Sequence, residues 1–132
     1  MSLVRRSTII IPGTGGLSNP DGAHLNVILT NTCDQGNNLL VPICSVRDKR
    51  PHDKTCLLGK GDHDFIRHSS YVFYAGMRIY PADHIEKKLQ DRYFRLRELL
   101  DERVFALVCA GLNNSEYSEP QFQAYYASRI GK

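Results

Sequence analysis

No apolar run in this chain approaches the roughly 20 residues needed to span a bilayer, and the common nucleotide-binding signatures are missing. G-x-x-x-x-G-K-[ST] does not occur, and no G-x-G-x-x-G opens a helix after a strand, so neither familiar phosphate-cradling loop is available. The G-x-S-x-G elbow of serine hydrolases is also absent. The four cysteines, Cys33, Cys44, Cys56 and Cys109, form no C-x-x-C pair and no zinc-finger spacing. Three of them lie in apolar segments (PICSV, KTCLL, LVCAG), where a free thiol behaves as a small hydrophobe. The start of the chain, MSLVRRSTIIIPG, lacks the apolar core and small-residue cleavage site of a leader and reads as the first strand of a cytoplasmic protein. There is no internal repeat and no low-complexity tract.

What is present fits one globular domain spanning 1–132. Hydrophobic residues make up 42% and charged residues 23%, enough to bury a core without staples. The net charge of +3 is uneven: residues 1–81 hold nine Lys/Arg against six Asp/Glu, and residues 82–132 hold eight of each. Two basic clusters, Arg5-Arg6 and RDKRPHDK at 47–54, account for much of the excess. Such clusters suit phosphates, or simply form solvated loops. Arg47, Lys49, Arg50 and Lys54, with Arg67 further on, are the candidate nucleic-acid contacts.

Periodicity changes near Pro81. Before it, Ile-, Val- and Leu-rich stretches are separated by turn residues, which predicts strands at 7–11, 24–32, 38–46, 54–59 and 70–80. Pro42 inside the third favours an edge or a bulge. Five short strands without intervening helices point to an antiparallel small barrel or a strongly curved sheet. After Pro81, Asp83 and Glu86 read as a capping box. Ile85, Leu89, Tyr93, Leu96 and Leu100 then recur at helical spacing. Asp101 is the expected cap of a second helix ended by Gly111, and Pro120 starts a third. The fold class is α+β, with a barrel at 7–80 and helices at 82–132.

The block GDHDFIRHSSY (61–71) concentrates reactive side chains around Phe65-Ile66, a pair expected to plug the barrel. Metal binding has little support, because no third ligand at a known spacing joins His63 and His68; no cofactor is expected. Acid–base chemistry fits better. Metal-free RNA cleavage needs a base for the 2′-hydroxyl, an acid for the leaving 5′-oxygen and a cation for the phosphorane. Asp53, Thr55, Asp62, His63, Arg47 and Arg67 supply those residue types.

The succession HLNVILTNT, NLLVPICSV, DKTCLL, GDHDFIRHSSYVFY and then helix resembles the PemK/MazF-like group of toxins. The resemblance implies an SH3-like barrel, a homodimer in the cytoplasm, metal-independent cleavage of single-stranded RNA, and inhibition by an antitoxin protein. It places Ser45 at the family's Ser/Thr position. The family's Arg-Pro pair opening the second strand is replaced by His24-Leu25, so the phosphorane cation must be His24, Arg47 or Arg67. The resulting catalytic candidates are His24, Ser45, Asp53, Thr55, Asp62, His63 and His68. A non-catalytic barrel module that binds protein or nucleic acid is the competing reading, and the mutual geometry of the histidines separates the two.

Overall fold

The computed structural model describes residues 3–14 and 22–130; most of the glycine-rich stretch at 12–22 lies outside the described residues. The first three strands form in the apolar, Ile-, Val- and Leu-rich segments: β1 (Thr8–Pro12), β2 (Ala23–Ile28) and β3 (Asn37–Ser45) pair antiparallel in order. Leu39, Val41 and Ile43 project to one face with Leu25 and Val27, while Leu40 and Ile28 project to the other. Both faces are buried, so β3 is apolar almost throughout.

The second half of the β region is shorter than its composition suggests. Residues 46–69 are largely irregular and contribute only the two-residue β4 (Leu57–Leu58). The expected strand at 70–80 is divided into β5 (Ser70–Val72), a 3₁₀ turn (Tyr74–Gly76) and β6 (Arg78–Pro81). β5 pairs with β3 at 43–45 and β6 pairs with β3 at 37–40. Pro42 therefore sits centrally, at the gap between its two partners. Its carbonyl accepts from the Phe73 amide at 2.9 Å, and the missing N–H faces the place where the chain leaves the sheet. An edge strand is not required.

The barrel expectation is not met. The sheet runs β4-β5-β3-β2-β1-β7, with β6 beside β3, and its ends do not pair with each other among the described residues. A closing strand would have to come from residues 46–69, and two paired residues there cannot supply one. The open sheet is instead covered by helices, as an α+β fold with a seven-stranded antiparallel sheet.

The helical prediction also needs correction after Pro81. α1 (Ala82–Gln90) starts on Pro81 without a side-chain cap, with Asp83 inside its first turn. It does not continue through the apolar spacing. Arg92 takes a left-handed φ of 63°, Phe94 turns inward, and β7 (Arg95–Arg97) joins the free side of β1. Tyr93 and Leu96, expected on a buried helix face, are exposed. α2 (Glu102–Asn114) is capped by Asp101, whose carboxylate accepts from the Arg103 and Val104 amides. Gly111 does not end it. It lies within α2 because the Tyr74 phenol occupies the space a Cβ would need. α3 (Pro120–Ile130) begins at the predicted proline.

Two cores result. Val104, Phe105, Val108 and Leu112 of α2, with Phe122 and Tyr126 of α3, pack on one sheet face with Ile66 and Tyr74. Ala82 and Ile85 of α1 pack on the other with Leu3, Ile9, Ile11 and Phe94. Arg5 links strand and helices: its Nε donates to the Leu29 carbonyl at 3.0 Å, one Nη donates to the Tyr126 hydroxyl at 3.0 Å, and its guanidinium stacks over Phe105. Arg6 donates to the Leu100 carbonyl at 2.9 Å. This basic pair is spent on packing, in keeping with the second role of long cationic side chains as apolar stems.

Candidate functional site

At the end of β3 the strand direction carries Ser45 to the surface, where β5 begins alongside it. Ser45 is level with Ser70, and the Val46 amide donates to the Ser69 carbonyl at 3.0 Å. This pairing brings His68, the residue just before β5, against the serine. Ser45 Oγ and His68 Nε2 lie 2.7 Å apart, and His68 is exposed. A hydroxyl and an imidazole at that distance share a proton. Arg47, two residues after the serine, and Arg67, just before the histidine, flank the pair on its two segments and are exposed. Arg67 Nε donates to the Asp64 carbonyl at 3.0 Å, leaving its terminal nitrogens for a ligand.

The other sequence candidates go elsewhere. His63 is a structural histidine, with a side chain only 1% exposed. Its Nδ1 accepts from the Phe65 amide at 3.0 Å, so in the neutral ring Nε2 carries the proton. That N–H donates to the Glu98 carbonyl at 3.1 Å, with Thr8 Oγ1 at 3.1 Å and the Glu98 carboxylate at 3.4 Å. The ring thus joins the 61–66 turn to β1 and the chain after β7. Asp62 closes a turn, its carboxylate accepting from the Gly59 amide at 2.8 Å, with Gly61 at φ 101° in the left-handed region. His24 is buried and donates from Nδ1 to the Gly22 carbonyl at 2.9 Å. Continuing the β2–β3 register places His24 level with Cys44, on the face opposite Ser45. It is not the cation for a reaction at Ser45.

Asp53 and Thr55 form a third, separate cluster. Asp53 is buried, and one carboxylate oxygen accepts from the Thr55 amide at 2.9 Å and from the Thr55 hydroxyl at 2.5 Å. The other accepts from Ser115 Oγ at 2.5 Å, and Ser115 in turn accepts from the Tyr117 amide at 3.1 Å. A buried carboxylate holding three donors is a latch, because each hydrogen bond satisfies a charge that has lost water. It fastens the basic loop to the end of α2.

Beside this latch lies a concavity that no sequence motif announces. Pro51, His52, Asp53, Tyr71, Phe73 and Tyr117 line a cleft of 280 Å³. An adjoining depression of 500 Å³ shares His52, Asp53 and Tyr117 and adds Lys54 and Thr55. The His52 and Tyr71 rings are 5.2 Å apart and tilted, and Tyr71 meets Phe73 edge-on at 6.2 Å. Burial, with the Cys44 thiol beside it, pushes the Tyr71 phenol up to about 12. Only Tyr117, an aromatic residue in the polar run NNSEYSEP, could have hinted at this cleft. Its position against His52 depends on contacts across more than sixty residues.

Among the described residues, no group of three His, Cys, Asp or Glu side chains is placed to hold a metal ion, and no helix is long and apolar enough to cross a membrane. No protein-family model matches the chain, and comparison with curated proteins gives no match.

Proposed function

We propose that this protein acts on single-stranded RNA as a toxin-like endoribonuclease, with Ser45 and His68 as the reacting pair. The observation that carries the reading is the 2.7 Å contact between an exposed imidazole and the hydroxyl at the position the toxin resemblance singles out. The ribose 2′-hydroxyl attacks the adjacent phosphorus while His68 takes its proton, directly or through Ser45. The P–O5′ bond breaks, and the imidazolium returns the proton to the departing 5′-oxygen. The products are a 2′,3′-cyclic phosphate and a 5′-hydroxyl, so one residue serves as base and then as acid. Arg47 and Arg67 are the cations nearest the pair along the chain and stand in for the arginine absent at His24. A homodimer and an antitoxin partner belong to the same reading.

A second reading is a non-catalytic nucleic-acid-binding module. It is favoured by the internal hydrogen bonds that occupy His24, His63, Asp53 and Asp62. Incubation of the protein with mixed-sequence RNA in EDTA separates the two. Fragments ending in cyclic phosphate support cleavage by the dyad; bound but intact RNA supports the module; RNA neither bound nor cut contradicts both.

A further inference from the structure

We propose that the cleft lined by His52, Tyr71, Phe73 and Tyr117 is a nucleobase-binding subsite for single-stranded RNA. The inference rests on the RNA reading above, catalytic or not, and adds where a base is held. Three independent features converge on it.

The lining is the first. Three aromatic rings and an imidazole converge on one cavity of 280 Å³, close to the lower end of ordinary small-ligand pockets. Tyr71 of β5 meets Phe73, just past the end of that strand, edge-on, and His52 leans over Tyr71 from the basic loop. Flat π-faces with little rotational freedom suit a purine or pyrimidine, which stacks on aromatics whatever its identity.

Charge is the second. The segment that forms one wall, 47–54, carries Arg47, Lys49, Arg50 and Lys54 against Asp48 and Asp53. Asp53 is turned inward to Thr55 and Ser115, which leaves four exposed cations against one exposed acid, Asp48. The exposed side of the 47–54 loop is therefore net basic, and Lys54 with Glu116 lines the depression next to the aromatic floor where a base would enter.

The third is anchorage. The loop is shaped by a tight turn, with the Arg50 amide donating to the Arg47 carbonyl at 3.2 Å and Lys49 at a left-handed φ of 65°. The Asp53–Ser115 bond then fixes its far end to the turn that carries Tyr117. The two walls are held at a set separation before any ligand arrives, which lowers the ordering cost of binding.

The subsite is near the reacting pair but distinct from it. His68 lies in the bend three residues before Tyr71, which limits their backbone separation to roughly 10 Å, and Tyr71 and Ser70 point to opposite sides of β5. A strand of RNA would pass around the β4–β5 edge, seating a base in the cleft a short distance from the phosphate at Ser45–His68.

The test is fluorescence anisotropy with a labelled single-stranded RNA, using the His68→Ala protein so that the probe stays intact. Tyr117→Ala is expected to weaken binding at least about fivefold, and Tyr117→Phe to leave it near the parent value. The same RNA carrying abasic sites should bind the parent more weakly, and Tyr117→Ala should show little further loss with it. RNA bound equally by parent and Tyr117→Ala, with no abasic effect, overturns the subsite and leaves the RNA reading standing. No binding of any RNA by the parent overturns both.

Discussion

Ser115 Oγ donates to the Asp53 carboxylate at 2.5 Å, joining a basic loop to the end of a helix 62 residues further along the chain. Both residues are buried, so the bond fixes the basic loop against the turn that carries Tyr117.

That relationship makes the latch a stability element. Ser115→Ala removes one donor from a buried carboxylate and should destabilise the fold by about 1.5–3 kcal/mol, the range for hydrogen bonds to charged groups. Asp53→Ala strands the Thr55 and Ser115 hydroxyls and should cost at least as much. Urea titrations should show a lower midpoint at unchanged slope.

His63 and His68 should behave oppositely on substitution. His63→Ala deletes a buried ring bonded to three chain segments and should lower stability by about 2 kcal/mol or more. His68→Ala, at an exposed position, should stay within about 0.5 kcal/mol of the parent. Thermal and urea melts of the two variants check the contrast.

Gly111→Ala should be among the most damaging conservative changes. A Cβ there would meet the Tyr74 phenol, which is itself fixed by donation to the Val108 carbonyl at 2.6 Å. Overpacking of this kind costs about 1–3 kcal/mol. The double variant Gly111→Ala/Tyr74→Phe should recover part of the loss if the phenolic oxygen is the obstacle.

The tyrosines set an alkaline limit. Burial pushes Tyr71 and Tyr125 up to about 12 from an ordinary value of 10.0. Between those values the unfolded chain has released these protons and the folded chain has not, so stability falls as pH rises from 10 to 12. Phenolate absorbance in the folded protein should lag behind that in denaturant across the same range.

Cys33 offers a cleaner chemical probe. Burial pushes its thiol up, but the hydrogen bond from the Tyr125 hydroxyl at 3.2 Å, backbone hydrogen bonds at Asn37 and Gln35 and the charge of Arg129 outweigh it, leaving the thiol below its ordinary value. Cys44 and Cys56 are buried. Iodoacetamide should modify Cys33 ahead of Cys44 and Cys56, and Tyr125→Phe should slow that reaction.

The parts of this fold legible in the sequence are those fixed by local chemistry. Apolar runs between turn residues mark β1 to β3, and Asp101 and Pro120 mark the starts of α2 and α3. Ile66 is in the core with Phe65 half-buried against it, although the barrel that this pair is expected to plug does not form. The errors arose where tertiary contacts overrode period. Ile85, Leu89, Tyr93, Leu96 and Leu100 satisfy a helix template, yet the free side of β1 recruits Arg95–Arg97 as a strand and Phe94 fills the pocket under α1. The barrel does not close for a related reason: the apolar content at 54–59 suits a strand, but only Leu57 and Leu58 enter the ladder with β5. For the site, residue types alone could not separate His63 from His68. The difference lies in hydrogen bonds to two distant residues, Thr8 and Glu98, for one, and in the register between Ser45 and Ser70 for the other.

The most direct test of the central claim is RNA cleavage by parent, His68→Ala and Ser45→Ala proteins of matched stability, in EDTA. Loss of an acid–base group is worth about 10²–10⁴ in rate. The account predicts cleavage by the parent, a fall of at least about 100-fold in His68→Ala, and a clear loss in Ser45→Ala. A parent that cuts RNA while His68→Ala cuts it equally fast would contradict the account.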